Sequence, residues 1–162
     1  MTQEQFKILF DLYFDPIRSY LYYRSGDVHV ATDLAQDTFM RIWEKKMELD
    51  SGKDVALLYK IAGNLFISHY RRERLRDKIP QEIRFEQAAA GPDEALHARE
   101  LEDSYEKVLG TLPENQRIAF LMSRLEGLTY REIAERLSLS VKAVEKRVSA
   151  ALAQFRKELV TR

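Results

Sequence analysis

Near the C-terminus, Lys142, Lys146 and Ser149 are spaced by four and then three residues, which places them on one face of a helix with Ala143 and Ala150. Cationic heads and a hydroxyl on one helix face can hydrogen-bond base edges and phosphates in a DNA groove. Glu145, on the flank, offers an acceptor for the amino group of cytosine. Arg147 on the other flank, and Arg131 upstream, are suited to holding phosphates, which gives affinity without sequence choice.

Such a face needs a helix held at a fixed angle, and the neighbouring residues supply one. Thr129 and Glu132 have the spacing of a capping box, in which each side chain satisfies a backbone N–H at the helix start. Ser140 stands where the next helix needs an N-cap. Few residues lie between the two helices, so they must cross steeply. On the inner side, Val141, Val144, Val148, Ala151, Leu152 and Phe155 are expected to pack on Ile133, Ala134 and Leu137. This is a helix-turn-helix pattern, with the second helix offered to a major groove.

The rest of the chain also has helical periodicity. A helix is expected over about Thr2 to Arg24, burying Phe6, Leu9, Phe10, Tyr13, Ile17, Tyr20 and Leu21, with Pro16 kinking or splitting it. Asp27 caps a second helix to about Met47, and after a break at Asp50 to Asp54 a third runs from Val55 to Lys78. Residues 79–93, with Ala88, Ala89, Ala90, Gly91 and Pro92, have linker composition. A helix from Glu94 to Leu109 is expected to stop at Gly110, and Thr111 with Glu114 repeats the capping-box spacing before a helix ended by Gly127. The fold class is all-α: two small helical domains, 1–78 and 94–162, joined by a flexible linker, the second a four-helix domain carrying the helix-turn-helix.

The first domain has chemistry of its own. Lys60, Asn64, Ile67 and Arg71 share a face of the third helix, with Ser68 beside it and Arg72 and Arg74 following. Basic groups mixed with a carboxamide suit a nucleic-acid strand. Tyr59, Phe66 and Tyr70 form a separate stripe suited to a core. On the second helix Asp33, Gln36, Asp37, Met40 and Glu44 make an acidic stripe, opposite Ala35, Thr38, Phe39 and Ile42. That stripe repels DNA and fits a basic protein partner.

Net charge is zero, yet the charges are segregated. Basic residues cluster at Arg71 to Lys78 and from Lys142 onward, while acids concentrate between Asp93 and Glu106. The chain has no cysteine, and His29, His69 and His97 are isolated, so neither a catalytic centre, a metal site nor a cofactor is expected. No membrane span or secretory leader is legible, which suits a cytoplasmic protein. From these residues alone, a regulator that binds DNA by itself and a protein-binding helical adaptor both remain open.

Three runs, in order, resemble the extracytoplasmic-function sigma factors of bacterial RNA polymerase. Asp33 to Trp43 is similar to that family's polymerase-binding segment, Leu58 to Arg72 to its −10 recognition helix, and Leu112 to Arg117 with the helix-turn-helix to its −35 binding domain. The resemblance implies that the chain binds the β′ clamp and β subunits of core polymerase and directs initiation at promoter DNA. It further implies that the loop near Asp50 to Asp54 captures an unpaired base, and that an anti-sigma factor restrains the protein. Two positions depart from the family pattern. Ser68 stands where an Asp is frequent, and Gly63 precedes Asn64 at a cost to the helix of about 1 kcal/mol relative to Ala.

Overall fold

The computed structural model describes residues 1–76 and 96–160, with side chains described for 1–76 and 103–159; the expected linker lies outside the described residues. Helix α1 spans Gln3–Ser25. Thr2 caps it reciprocally: the Gln5 N–H donates to Thr2 Oγ1 at 3.1 Å, and the Thr2 N–H to Gln5 Oε1 at 2.9 Å. The helix is not split at Pro16. A proline in a helix interior costs about 3 kcal/mol, and the burial of Leu9, Ile17, Tyr20 and Leu21 on both sides of it outweighs that cost. Gly26, at φ 70°, ends the helix with an N–H donated to the Tyr22 carbonyl.

Helix α2 spans Val28–Glu44, with the Asp27 carboxylate accepting from the N–H groups of His29 and Val30. It stops short of Met47 because Lys46 turns left-handed at φ 51°. Its inner face buries Ala31, Leu34, Ala35, Thr38, Phe39 and Ile42, as the periodicity predicts. The buried Thr38 hydroxyl is satisfied by donating to the Leu34 carbonyl at 2.7 Å. Phe39 lies edge-on to Phe10 and Phe6, at 5.2 and 6.3 Å between ring centres. Helix α3, Val55–Leu75, packs Leu58, Tyr59, Ala62 and Phe66 inward; Tyr70, expected in the same stripe, is exposed.

Helix α4, Leu96–Thr111, runs through Gly110, which does not stop it. The capping box expected at Thr111 and Glu114 does not form. Leu112 precedes a proline and is pushed out of helical conformation, so helix α5, Glu114–Glu126, starts only after Pro113. The Thr111 hydroxyl turns back to the Val108 carbonyl. Gly127 ends α5 at φ 63°. Helices α6, Tyr130–Leu137, and α7, Val141–Val160, meet at Ser138, itself left-handed at φ 57°. Val144, Val148, Ala151 and Phe155 are buried, but Val141 and Leu152 are exposed. At roughly 100° per residue, those two lie about 60° and 80° from Val144 around the helix, on the edge of the stripe.

The helices of the two halves touch: α5 lies on α1 and α6 on α3, with one cluster of buried residues running through both. At this seam the Glu126 carboxyl is held above its ordinary range, chiefly by burial, with Arg136 of α6 and the Tyr23 hydroxyl of α1 opposing. Tyr59 of α3 also faces it, and among the described residues Glu126 Oε2 has no hydrogen-bond partner. A carboxyl with a raised folded pKa stabilises the fold at low pH, and that contribution is lost as pH rises through the raised value. Glu126→Gln is therefore expected to melt a few degrees above the parent at neutral pH. The gap should close as both are titrated toward about pH 4, the ordinary glutamate range. A constant gap across that range would assign the effect to packing instead of ionisation.

Candidate nucleic-acid and polymerase interfaces

Of the residues expected to hold a strand, Lys60, Asn64, Ile67, Ser68, Arg71, Arg72 and Arg74 are all exposed on α3. Asn64, Ser68, Arg71 and Arg72 are brought together in an open cleft of about 870 Å³. Lys60, Ile67 and Arg74 are outside it. The cleft also contains residues the sequence reading missed: Arg41 and Lys45 from the end of α2, over a half-buried apolar floor of Met47, Ile61 and Leu65. Their spacing of four along α2 was the available signal. Among the described residues, none of Arg41, Lys45, Arg71 and Arg72 pairs with a carboxylate. An apolar floor with uncompensated cationic walls offers stacking to bases and charge to phosphates.

The loop that opens α3 is held by its own side chains. The Asp54 carboxylate accepts from the Asp50 N–H at 2.7 Å, instead of capping α3, and the Asp50 carboxylate accepts from the Gly52 N–H at 2.7 Å. The Tyr13 hydroxyl donates to the Ser51 carbonyl at 2.9 Å, tying the loop to α1.

On the outside of α2, Asp33, Gln36, Asp37, Met40 and Glu44 are exposed. The stripe ends at an apolar recess of about 260 Å³ lined by Gln3, Phe6, Met40, Trp43 and Glu44. Met40 and Trp43 are 55% and 41% exposed, unusually open for side chains of their size. Phe6, Trp43 and Gln3 were not among the expected docking residues: Phe6 read as core, Trp43 only closed the run that resembles a polymerase-binding segment, and the two lie far apart in sequence.

In the helix-turn-helix both expected caps are present. The Glu132 N–H donates to Thr129 Oγ1 at 3.1 Å and the Thr129 N–H to Glu132 Oε1 at 3.2 Å. The Thr129 N–H and, at 3.0 Å, the Thr129 hydroxyl both donate to Glu132 Oε1 and hold that carboxyl below its ordinary range. Ser140 Oγ accepts from the Ala143 N–H at 3.1 Å and starts α7. Fully buried Val144 and Ile133 fix the crossing. Lys142, Glu145, Lys146 and Ser149 are exposed on α7, Ala143 and Arg147 half-buried beside them, and Arg131 exposed on α6. Helix α7 packs on α4, α5 and α6, so this face and the α3 cleft are separate surfaces. Among the described residues there is no cluster of His, Asp and Glu able to hold a metal, and no helix long and apolar enough to cross a membrane.

An all-helical chain with an open cationic cleft on one module and a helix-turn-helix on the other has the make-up of a promoter-recognition subunit. Residues 9–76 match the model of Sigma-70 region 2, and residues 102–155 that of Sigma-70, region 4. The ferric citrate uptake sigma factor FecI of Escherichia coli is 30% identical over 149 residues, covering 91% of this chain and 86% of that protein. The ECF RNA polymerase sigma factor SigW of Bacillus subtilis is 27% identical, covering 97% of this chain and 90% of that one. SigE of Mycolicibacterium smegmatis is 30% identical over 88% of this chain, which spans 56% of its length. The solved structure of the sigma factor RpoE in complex with the anti-sigma factor NepR, from Bartonella quintana, matches with a TM-score of 0.68 at 26% identity, over 95% of this chain and 96% of that one. The chain belongs to the extracytoplasmic-function sigma factors, the subunits that bind core RNA polymerase and direct promoter-specific transcription.

Proposed function

We propose that the two modules divide promoter recognition as follows. The acidic stripe of Asp33, Gln36, Asp37, Met40 and Glu44 docks on a basic surface of the β′ clamp, with the Phe6–Trp43 recess taking an apolar side chain from it. The α3 face of Lys60, Asn64, Ile67, Ser68, Arg71, Arg72 and Arg74 holds the −10 element, its cleft receiving the unpaired non-template strand. Arg41 and Lys45 form the opposite wall. Helix α7 enters the −35 major groove. There Lys142, Glu145, Lys146 and Ser149 face bases, Ala143 allows close approach, and Arg131 and Arg147 hold phosphates. The domains span 1–78 and 94–162, the second also resting on the β subunit in the cytoplasm. An anti-sigma factor is the proposed restraint, supported by the likeness to a sigma factor solved with one.

The observation that carries this reading is the cleft: four cations that, among the described residues, have no carboxylate partner, around an apolar floor and next to an acidic face on the same small module. Run-off transcription on genomic fragments, with core polymerase alone and with this chain added, tests it. Transcripts that appear only with the chain are expected. On those templates Lys146→Ala should lower output roughly fivefold and relax base choice at the −35 position it faces. Equal transcription with and without the chain would defeat the reading.

A further inference from the structure

One apolar side chain of α7 is out of place. The helical period groups Val141 with Val144, Val148, Ala151 and Phe155, yet those four are buried and Val141 is 45% exposed. It is the first residue of α7, directly after the Ser140 cap. Cα–Cβ bonds tilt toward a helix's N-terminus, so a first-turn side chain leads the helix. The end that Val141 leads is the end that meets base edges when such a helix enters a major groove. Stability does not account for this valine. It is a weaker helix former than alanine, and so exposed a side chain gains little from burial.

Its neighbours narrow what it can touch. Lys142 follows it, and Glu145, four residues on, stands beside it on the helix surface; both are exposed. In the first two turns of α7, Val141 is the one large apolar side chain that is exposed. The base pairs present hydrogen-bonding groups to the major groove and one apolar group, the 5-methyl of thymine. A lysine head or a carboxylate gains nothing from that methyl. A β-branched side chain, stiff about χ1, meets it with two methyls held in place. Leu152, the other large apolar side chain exposed on the described part of α7, lies about 16 Å further along the axis, past a groove about 12 Å wide.

We propose that Val141 is a specificity-determining residue of the −35 contact, packing on the methyl group of one thymine next to the base whose amino group Glu145 accepts. The proposal rests on the reading of α7 as the −35 helix, and adds a base to it together with the residue that selects that base. Any other base at this step sets the valine against polar groups that it cannot hydrogen-bond, or against open groove. Promoters served by this chain should therefore share a thymine at one −35 position.

Deoxyuridine pairs as thymidine does and lacks only the methyl, so it isolates the contact. Promoter fragments recovered by run-off transcription are rebuilt with deoxyuridine at one −35 thymine at a time, on either strand. Each is bound to core polymerase carrying the parent chain or Val141→Ala. At one position the parent is expected to lose about threefold to fourfold in affinity, the amount that burial of one methyl gives. Val141→Ala should bind the thymine fragment more weakly by a similar factor and no longer distinguish it from the deoxyuridine fragment. Val141→Ile should keep the distinction. Alanine favours the helix, so helix content and core binding of that variant should match the parent's; if it fails to fold, the parent's own response to deoxyuridine decides. Equal affinity of the parent for thymine and deoxyuridine fragments at every −35 position would overturn the proposal. So would a distinction that survives in Val141→Ala, or transcribed promoters with no shared −35 thymine. Failure of the valine contact alone leaves the effect of Lys146→Ala in place, whereas failure of the −35 reading removes that effect too.

Discussion

Asp37→Arg is expected to weaken association with core RNA polymerase by about 100-fold or more, with little change in helix content or melting temperature. The stripe on α2 places Asp37 between Asp33 and Met40, exposed and, among the described residues, without an ion pair. Removing the charge forfeits one attraction; reversing it sets a cation against the basic surface proposed for the clamp. Like charges juxtaposed in an interface cost several kcal/mol, and about 3 kcal/mol corresponds to roughly 150-fold in affinity. The fold should tolerate the change, since the site is solvated and arginine is the better helix former in a helix interior. Titration of labelled chain with core polymerase at two salt concentrations reads both parts. The parent should lose affinity as salt rises, and the variant should lose much less. Parent-like affinity in the variant would move the docking surface off α2, and Asp37→Ala, expected to lose less than the reversal, should agree in direction.

The sequence was legible where the physics is local. Caps act over three residues and helix faces over four, so Thr129 with Glu132, Ser140, Asp27 and the buried side of α2 can be read from spacing alone. The same Thr-x-x-Glu spacing failed at Thr111 because Pro113 forbids a helical Leu112, a rule also present in the sequence and outweighed there by the pattern. What spacing cannot show is a partner far along the chain. Arg117 reads as one more charge on a helix, yet it is among the most buried side chains because its acceptors lie 94 and 93 residues away. Gly63 reads as a defect in a helix, and its reason is the guanidinium of Arg24 pressed against that spot. Arg41 and Lys45 are ordinary solvated cations until α2 and α3 close on each other. The family motifs lie on α2, on α3 and from the start of α5 to α7. The wall opposite α3 and the recess beside Met40 are tertiary features that no single helix carries.

Phe39→Ala, two positions from Asp37 on the other side of the same helix, should have the reverse signature. Phe39 is 1% exposed and meets Phe10 at 5.2 Å, Phe14 at 6.0 Å and Phe6 at 6.3 Å between ring centres. Truncating a buried phenylalanine costs about 3–5 kcal/mol, through lost transfer free energy and the cavity left behind. For a chain of this length that is roughly 10 °C or more in melting temperature, a large part of a total stability of about 5–15 kcal/mol. Core binding should fall only in proportion to the unfolded fraction and return on cooling, whereas the affinity lost in Asp37→Arg does not return on cooling. Phe39→Leu, which keeps most of the volume, should recover much of the loss. The shape of the melt is informative as well. Phe39 lies in the first module, so modules that fold independently would give an early transition for that module and leave the second melting where it did before. Coupling through Arg117 and Arg136 predicts that both move together. A Phe39→Ala chain with the parent's melting temperature would mean that the aromatic cluster of α1 and α2 does not support the helix that presents the acidic stripe.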